Sequence, residues 1–414
     1  MKIKTSIYTH EIDLPEEKKY VLILVKLLIL LMLLDFSGDY LIYQAINGGI
    51  FKDIEDLIRK GIVSLLAFIS LIGMARLSSL QRLGTIGRVC LSIILTIFLY
   101  GLIHGLITNN PTSSLREMVA VGSIFLIPLI IGINKKHIYN IAKYLIYLMV
   151  IVIGFKIVIS QLLCLEVYGT LAFKVILRLS KFLLLPYSYF LVKAFTKEGK
   201  KIDLIFLLVV IIEILISQSR GLNLAVLLVT FFVFFISKNK GRVVLLLLII
   251  SFAALAVMFF TGNEVKVLFG MWSGSNFENT VEIRSQQFDM LIDRFYHRPL
   301  TGYGFGYVTP GSEYEDMELS YSLELDLINF FSKIGIPFSL LYIFSYALFV
   351  RQYIRAHFFN NKNKVITLSY LVALLSLLFF SLTQTAHSSY VYWIVYAITF
   401  LLLFKRESVN SKNI

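Results

Sequence analysis

Three arginines in the sequence carry side chains suited to binding a phosphate group. Arg220 stands in a short polar turn, residues 217–221, and Arg284 and Arg298 lie in a polar stretch, residues 276–306. A guanidinium presents its N–H donors in a planar fork, and two or three such forks suit a diphosphate. We therefore expect Arg220 and Arg284, with Arg298 as a third, to bind a doubly charged anion. The alternatives are a structural pairing with a carboxylate for Arg220 and an exposed loop position for Arg298.

Two further side chains near these arginines are candidates for a general base. Glu324 stands where the polar stretch gives way to an apolar run, and His297 directly precedes Arg298. A carboxylate at such a boundary is partly desolvated, which favours proton uptake, although nearby arginines oppose that effect. We take Glu324 as the first candidate and His297 as the second. A solvated loop carboxylate is the alternative for Glu324.

Glycines alternate with aromatic residues directly after these arginines. Gly302, Gly304 and Gly306 follow a Pro-Leu-Thr turn, but no strand pattern precedes them and no GK[ST] ending follows, so a nucleotide site is not indicated. We expect Gly302 and Gly304 to bring the backbone close to a bulky polar ligand, or simply to form a tight re-entrant loop. Tyr303 between them could stack on a sugar, although an interfacial anchor would also be aromatic.

Three more basic residues recur at helical spacing within an apolar run. Lys174, Arg178 and Lys181 lie at positions i, i+4 and i+7, so they share one face of a predicted helix. A cation in a membrane span usually faces a cavity or a ligand, or extends to the headgroups. We expect these three residues either to contribute to the anion site or to contact outer headgroups.

Most of the sequence around these residues is apolar and has the pattern of membrane spans. The polar candidate residues are therefore expected at a membrane surface. Hydrophobic residues make up 57% of the 414 residues, and the mean hydropathy is +0.79. Repeated apolar runs of about twenty residues match the thickness of a bilayer core. We predict an all-α polytopic integral membrane protein with about 12 transmembrane helices, which rules out a soluble domain. The predicted spans are residues 20–34, 61–75, 89–108, 118–133, 140–163, 175–195, 203–218, 220–237, 242–261, 325–350, 365–383 and 389–404.

Lysine and arginine set the orientation of these spans. The connections on one side hold fifteen basic and two acidic residues, whereas residues 262–324 hold four basic and ten acidic residues. Because cytoplasmic loops retain Lys and Arg, both termini are predicted to be cytoplasmic. The chain then divides into nine spans in residues 1–261, a long periplasmic loop with the catalytic motifs in 262–324, three spans in 325–404 and a cytoplasmic tail in 405–414.

The remaining composition excludes several classes of function. The net charge of +13 is explained by the membrane topology rather than by a surface for nucleic acid. Cys90 and Cys164 both lie in apolar runs, where cysteine usually packs as a small apolar residue. We therefore predict no metal site and no cofactor.

Four motifs occur in order along the chain: Ser219-Arg220-Gly221 at the start of an apolar run, Arg284 followed by Phe288, the RPLTGYGFG segment at 298–306, and the ELDLINFFSKIG segment at 324–335. Together they resemble the O-antigen ligase/polymerase superfamily. The family often has Trp where Phe288 stands. Ligases typically carry a His where Glu324 stands, so the resemblance favours the Wzy-type polymerase branch, for O-antigen or capsular polysaccharide.

This resemblance implies an enzyme of the bacterial inner membrane that needs neither metal nor nucleotide. The enzyme would transfer a growing glycan from undecaprenyl diphosphate to a lipid-linked repeat unit at the outer face. Its partners would be undecaprenyl-diphosphate-linked oligosaccharide, membrane lipid and a chain-length-regulating membrane protein. The alternatives are an O-antigen ligase, which transfers glycan to lipid A-core, a lipid-linked oligosaccharide flippase, and a non-catalytic assembly or sensor protein.

Overall fold

The part of the chain that the computed structural model describes is almost entirely helical. That part comprises residues 16–34, 50–75, 80–81, 83–131, 133–168, 181–195, 200–216, 220–236, 241, 275–308, 325–359, 364–382 and 389–405. The helices are α1 (Glu16–Leu34), α2 (Ile50–Ala75), α3 (Thr85–Thr108), α4 (Pro111–Val121), α5 (Leu126–Ile130), α6 (Lys135–Tyr168), α7 (Leu184–Phe195), α8 (Lys201–Ile216), α9 (Arg220–Ile236), α10 (Ser275–His297), α11 (Asp326–Phe359), α12 (Lys364–Phe380) and α13 (Tyr390–Phe404). Short 3-10 helices occupy Gly122–Phe125 and Lys181–Leu183.

Several of these helices have the length and composition of membrane spans. Thr85–Thr108, Lys135–Phe155 and Asp326–Arg355 each qualify alone, and the bent pair Pro111–Val119 and Gly122–Ile130 would make a fourth. Apolar side chains also lie exposed along the outer faces of helices, such as Leu204, Leu208 and Ile212 on α8. Such faces are suited to contact with lipid, because exposing a continuous apolar stripe to water is energetically unfavourable. The fold is therefore that of an all-helical membrane protein.

The C-terminal helix α13 lies at the centre of the packing. Its residues from Val391 to Phe404 are almost completely buried, including Trp393 and Tyr396 at 0% exposure. The Trp393 ring meets Phe98 of α3 edge-on, with the ring centroids 4.9 Å apart. Because α13 is apolar all round, it can be covered by protein on every side. It therefore gives α3 and α11 a common surface on which to pack.

The predicted fourth span, residues 118–133, is not one straight helix. α4 ends at Val121, the 3-10 helix Gly122–Phe125 follows, and the axis bends by 50°. Glycine weakens a helix, and Pro128 has no N–H to continue the ladder of α4. Pro128 is instead accommodated in the first turn of α5, where N–H groups have no helical partner in any case.

The predicted tenth span, residues 325–350, corresponds to α11, which is broken at Gly335. Gly335 has φ 78° and ψ 167°, and Pro337 follows two residues later. A left-handed residue cannot continue a helix, and Pro337 removes another donor from the ladder. The break leaves backbone groups of residues 332–336 available to a neighbouring segment, and that segment carries the glycines.

Most of the other predicted spans coincide with helices, and some predicted elements lie outside the described residues. The helix expected around residues 281–296 is α10, which begins earlier, at Ser275. The ninth span (242–261), residues 262–274 and 309–324 of the long loop, and the tail after residue 405 lie outside the described part.

Candidate functional site

The glycine loop, residues 298–308, follows α10 and docks between α3 and the break in α11. Its backbone bonds to both helices: Phe305 N donates to Gly101 O over 3.0 Å, and Gly304 N donates to Lys333 O over 2.9 Å. In return, Ile336 N donates to Pro299 O over 2.8 Å. The broken helix and the loop therefore satisfy each other's backbone groups, which explains why they form together.

Glycine is required in this loop because its backbone touches other backbone. Gly304 has φ 78°, and a Cβ there would lie 2.5 Å from the nitrogen of Gly105. Gly306 has φ 75°, and a Cβ there would lie 2.5 Å from the nitrogen of Ser114. Both the positive φ and the lack of space exclude other residues. Gly302 (φ 65°) is buried in the same way against the carbonyl of Lys333. The neighbours of these glycines are protein, which fits a tight re-entrant loop rather than backbone that approaches a bulky ligand.

Polar residues at the end of α3 bind the carbonyl groups of the loop. Asn109 Nδ2 donates to Tyr303 O over 2.8 Å and to Phe305 O over 2.9 Å. Tyr100 Oη donates to Thr301 O over 2.7 Å. Sequence reasoning did not assign these residues a role, because the partners stand about two hundred positions apart in the chain. The Phe305 ring anchors the loop beneath them, against Phe98 of α3 and Phe330 of α11.

A buried ion pair lies directly under the loop. Lys333 Nζ donates to Glu117 Oε1 over 2.8 Å, with the Lys333 side chain 0% exposed and that of Glu117 16% exposed. The other carboxylate oxygen, Glu117 Oε2, accepts from Gly306 N over 2.7 Å. Removing one partner of such a pair typically costs about 3–5 kcal/mol, because the other charge is left in a poor solvent.

The sequence contains some indication of this ion pair. Lys333 lies in the family motif at 324–335, whereas Glu117 lies outside all four family motifs. Glu117 is the only acidic residue between Asp56 and Glu166, and Lys333 is the only charged residue between Asp326 and Arg351. Lys333 is an isolated charge in a long apolar segment, which implies a partner of opposite sign, whereas Glu117 directly follows Arg116. The sequence therefore indicates that Lys333 has an acidic partner, but it does not identify Glu117 as that partner.

At the end of α10 and in the glycine loop, two arginines and two tyrosines form an aromatic–cation stack. The guanidinium of Arg298 lies 4.9 Å from the centroid of the Tyr303 ring, Tyr303 lies 4.3 Å from Tyr307, and Arg294 lies 4.9 Å from Tyr307. Arg294 is buried and also donates to Asn329 Oδ1 over 3.0 Å, whereas Arg298 is exposed. A guanidinium that stacks through its face keeps its edge donors for other acceptors. Arg298 is thus held by one face at the surface of the protein.

Burial changes the titration of the two inner members of the stack. It lowers the pKa of Arg294 from its ordinary value, while the nearby Tyr307, Tyr303 and Glu117 act in the opposite direction. It also raises the pKa of Tyr307, against the opposing effect of Arg294. Tyr307 is therefore a neutral phenol at neutral pH.

His297 lies at the end of α10 with its side chain 66% exposed. Its Nδ1 lies 2.9 Å from the backbone oxygen of Asp293 and 3.4 Å from the Asp293 carboxylate. A carbonyl oxygen only accepts, so Nδ1 carries the proton and the neutral imidazole has its lone pair on Nε2. Nε2 is the nitrogen that could accept a proton from a substrate.

The other predicted site residues are only partly covered by the structure. Arg220 is the first residue of α9, and Arg284 lies within α10, but their side chains lie outside the described part. Lys181 begins a 3-10 helix, and its side chain is likewise not covered. Lys174, Arg178 and Glu324 lie outside the described residues. Leu325, which follows Glu324 in the chain, packs on Leu291 of α10.

No cluster of three or more His, Cys, Asp or Glu side chains that could hold a metal occurs within the described ranges. Cys90 is buried in α3, where its Sγ lies 3.8 Å from Ser345 O.

These features define a class: a helical membrane protein in which a basic, aromatic loop docks on the ends of membrane helices. Residues 205–343 match the Wzy_C family model, described as O-antigen ligase. The match runs from α8 into α11 and includes the glycine loop. The match bears out the resemblance found in the sequence: residues 205–343 are similar to the O-antigen ligase family, which is consistent with a member of the O-antigen ligase/polymerase superfamily. No curated protein and no solved structure matches the chain.

Proposed function

We propose that this protein is an O-antigen or capsular polysaccharide polymerase of the bacterial inner membrane. In the proposed reaction, a sugar hydroxyl of a lipid-linked repeat unit attacks the anomeric carbon of a glycan carried on undecaprenyl diphosphate. The bond from that carbon to the diphosphate oxygen breaks, undecaprenyl diphosphate leaves, and the hydroxyl proton passes to a base. The leaving diphosphate supplies the driving force, so no nucleotide is needed.

The family match over residues 205–343 carries this proposal. That interval contains Arg220, Arg284 and the glycine loop, which are the parts that the chemistry requires. Arg220 and Arg284 would neutralise the charge that develops on the leaving diphosphate. Preorganised charge of this kind is often worth several kcal/mol in the transition state.

Arg298 and Tyr303 would bind the polar part of the substrate. The stacked, exposed guanidinium of Arg298 is placed to reach an anionic oxygen, and the half-buried Tyr303 ring could meet a sugar face. Lys174, Arg178 and Lys181 would add positive charge at the outer end of their helix. Gly302 and Gly304 would act indirectly, because they allow the loop to dock.

Glu324 is the proposed base, with His297 as the second candidate. Glu324 directly precedes Leu325 in the chain, and Leu325 packs on Leu291 of α10, the helix that carries Arg284 and His297. His297 has its acceptor nitrogen, Nε2, directed away from its own helix bond. Either group would need to come within hydrogen-bond reach of the acceptor hydroxyl.

The proposed site faces the periplasm in a protein of about twelve spans, with a chain-length-regulating membrane protein as a partner. The excess of basic residues in the opposite connections supports this orientation. Glycan transfer at the outer face also fits a loop that is acidic overall yet carries arginines in its middle part, at positions 284, 294 and 298.

An O-antigen ligase is the second candidate, because the matching family carries that description. Glu324 favours the polymerase, since ligases typically have His at that position. The lipopolysaccharide ladder of a deletion strain distinguishes the two. We expect bands with a single repeat unit; loss of all O-antigen from the core would instead identify a ligase, and an internal build-up of lipid-linked units a flippase.

A further inference from the structure

The Glu117 carboxylate joins three parts of the chain that are far apart in sequence. It lies on α4, receives the ammonium of Lys333 from α11, and accepts the backbone N–H of Gly306. Lys333 also holds the loop through its own carbonyl, which accepts from Gly304 N over 2.9 Å. The glycine loop is therefore held twice by one lysine, once directly and once through Glu117.

Tyr307, the residue after Gly306, links this ion pair to the exposed arginine Arg298. Tyr307 stacks on Tyr303, and each ring holds one guanidinium, so the position of Gly306 determines where Arg298 is presented. The loop can adopt few other conformations at this point, because Gly306 is packed against Ser114 of α4 and Ser114 Oγ donates to Phe305 O over 2.8 Å.

A second ion pair of the same design occurs elsewhere in the protein. Lys193 Nζ lies 2.7 Å from Asp203 Oδ1, and Asp203 Oδ2 accepts from Lys200 N over 2.8 Å. Here too a carboxylate joins a lysine to a backbone N–H, and it links α7 to the start of α8. The charge pattern predicts that this connection is cytoplasmic, on the opposite side of the membrane from the loop.

We propose that Glu117 and Lys333 are positioning residues for glycan transfer. Their ion pair holds the glycine loop in the conformation in which Arg298 and Tyr303 receive the lipid-linked diphosphate substrate. This role rests on the proposed function, and it adds two residues to the site that touch the loop rather than the reacting atoms.

The test uses full-length protein in nanodiscs with lipid-linked repeat units as substrate. For each variant, kcat and KM are measured per folded molecule, together with hydrogen exchange of peptides covering residues 298–308. Glu117→Gln keeps the shape and an oxygen for Gly306 N–H, but it removes the carboxylate charge that faces the Lys333 ammonium. We expect faster exchange in the loop and a kcat/KM lower by on the order of a hundredfold, because small misplacements of binding groups can cost that much.

Two further variants and a control complete the design. Glu117→Gln combined with Lys333→Met removes both charges and should regain about tenfold of the lost kcat/KM, since contacting residues are not additive. Glu117→Asp keeps the charge, and it replaces Glu117→Gln in the same measurements if the Gln variant does not accumulate. The matched control is Asp203→Asn, which breaks the other ion pair. It should lower thermal stability, leave exchange in residues 298–308 unchanged, and keep kcat/KM within about twofold, as expected for distant sites.

Three outcomes would contradict the positioning role. These are unchanged exchange in Glu117→Gln, faster exchange with normal kcat/KM, and an equal loss of kcat/KM in Asp203→Asn at the same change in stability. A wild-type protein that protects the loop but transfers no glycan would contradict the proposed function, and the positioning role with it.

Discussion

The arginines are the residues on which the proposed chemistry depends most. We expect Arg220→Lys and Arg284→Lys each to reduce chain extension severely while the protein stays inserted and abundant. An ammonium is a point charge and cannot reproduce the two parallel hydrogen bonds that a guanidinium gives to a phosphate. The measurement is the lipopolysaccharide ladder of a deletion strain carrying each variant. Arg355→Lys is the control, because Arg355 is exposed near the end of α11, at the predicted cytoplasmic side. Full ladders in both site variants would show that only general positive charge is needed.

The base can be identified by removing one proton acceptor at a time. Glu324→Gln keeps the size of the side chain and should lower the turnover of purified enzyme by on the order of a hundredfold or more. His297→Asn should have the smaller effect, because its side chain is largely exposed at the helix end. Near-normal turnover in Glu324→Gln beside an inactive His297→Asn would exchange the two roles. Normal turnover in both would mean that departure of the diphosphate needs no side-chain base.

At the scale of single residues, sequence reasoning could identify donors but not their partners. Arg298 and Tyr303 were both singled out, yet their stacking depends on a turn whose geometry no pattern specifies. Glu117 was missed because its two partners are 189 and 216 positions away. Helix packing decides which charged residues meet, and no sequence pattern specifies contacts between residues that are so far apart in the chain.

At the scale of elements, the contact between the glycine loop and α3 gives a sharp prediction. Gly304→Ala should lower the Tm of the purified protein and abolish chain extension, because the new Cβ would lie 2.5 Å from the nitrogen of Gly105 at a φ of 78°. The left-handed conformation alone costs an alanine about 1–2 kcal/mol. Thermal unfolding in detergent and the lipopolysaccharide ladder are the measurements.

Gly61→Ala provides the matched control for that substitution. Gly61 lies within α2, and a Cβ there would meet nothing within 4 Å. Alanine is favoured over glycine in a helix interior by about 1 kcal/mol, so Gly61→Ala should keep or raise the Tm and leave the ladder intact. Equal effects of the two substitutions would show that the loop does not dock tightly.

Elements that depend on local chemistry were predictable, and those that depend on tertiary contact were not. α10 and the glycine turn follow from helix periodicity and from Pro and Gly. The break in α11 was not foreseen, because Gly335 in an apolar run is compatible with a continuous span. It takes its φ of 78° where the loop supplies partners for the opened helix.

At the scale of the whole molecule, charge and apolarity together determine how the chain would sit in a membrane. α13 is buried on all sides, while α8 and parts of α3 turn apolar faces outward. Three described helices are both long and apolar enough to span a bilayer, namely α3, the first part of α6 and most of α11, and they include both helices that hold the glycine loop. The loop is therefore fixed to helices with the length and composition of membrane spans, and its side of the membrane is the side on which the proposed site would work.

The orientation can be tested with topology reporters. Reporters fused after Lys240 and after Arg355 should give cytoplasmic signals, and one inserted near Gly311 should give a periplasmic signal. The physical reason is that Lys and Arg are retained on the cytoplasmic side, and the connections on that side hold fifteen basic residues against two acidic ones. The measurement is a pair of reporters at each point, one active only inside the cell and one active only outside.

The strongest control is to shift the charge balance without touching the site. Replacing several basic residues near one connection, such as Lys238 and Lys240, should weaken the cytoplasmic signal there before it changes the signal at Gly311, since charges act mainly on neighbouring spans. A cytoplasmic signal at Gly311 in the unaltered protein would invert the topology. The glycine loop and its arginines would then face nucleotide-containing cytoplasm rather than lipid-linked glycan at the outer face, and the polymerase assignment would lose its site.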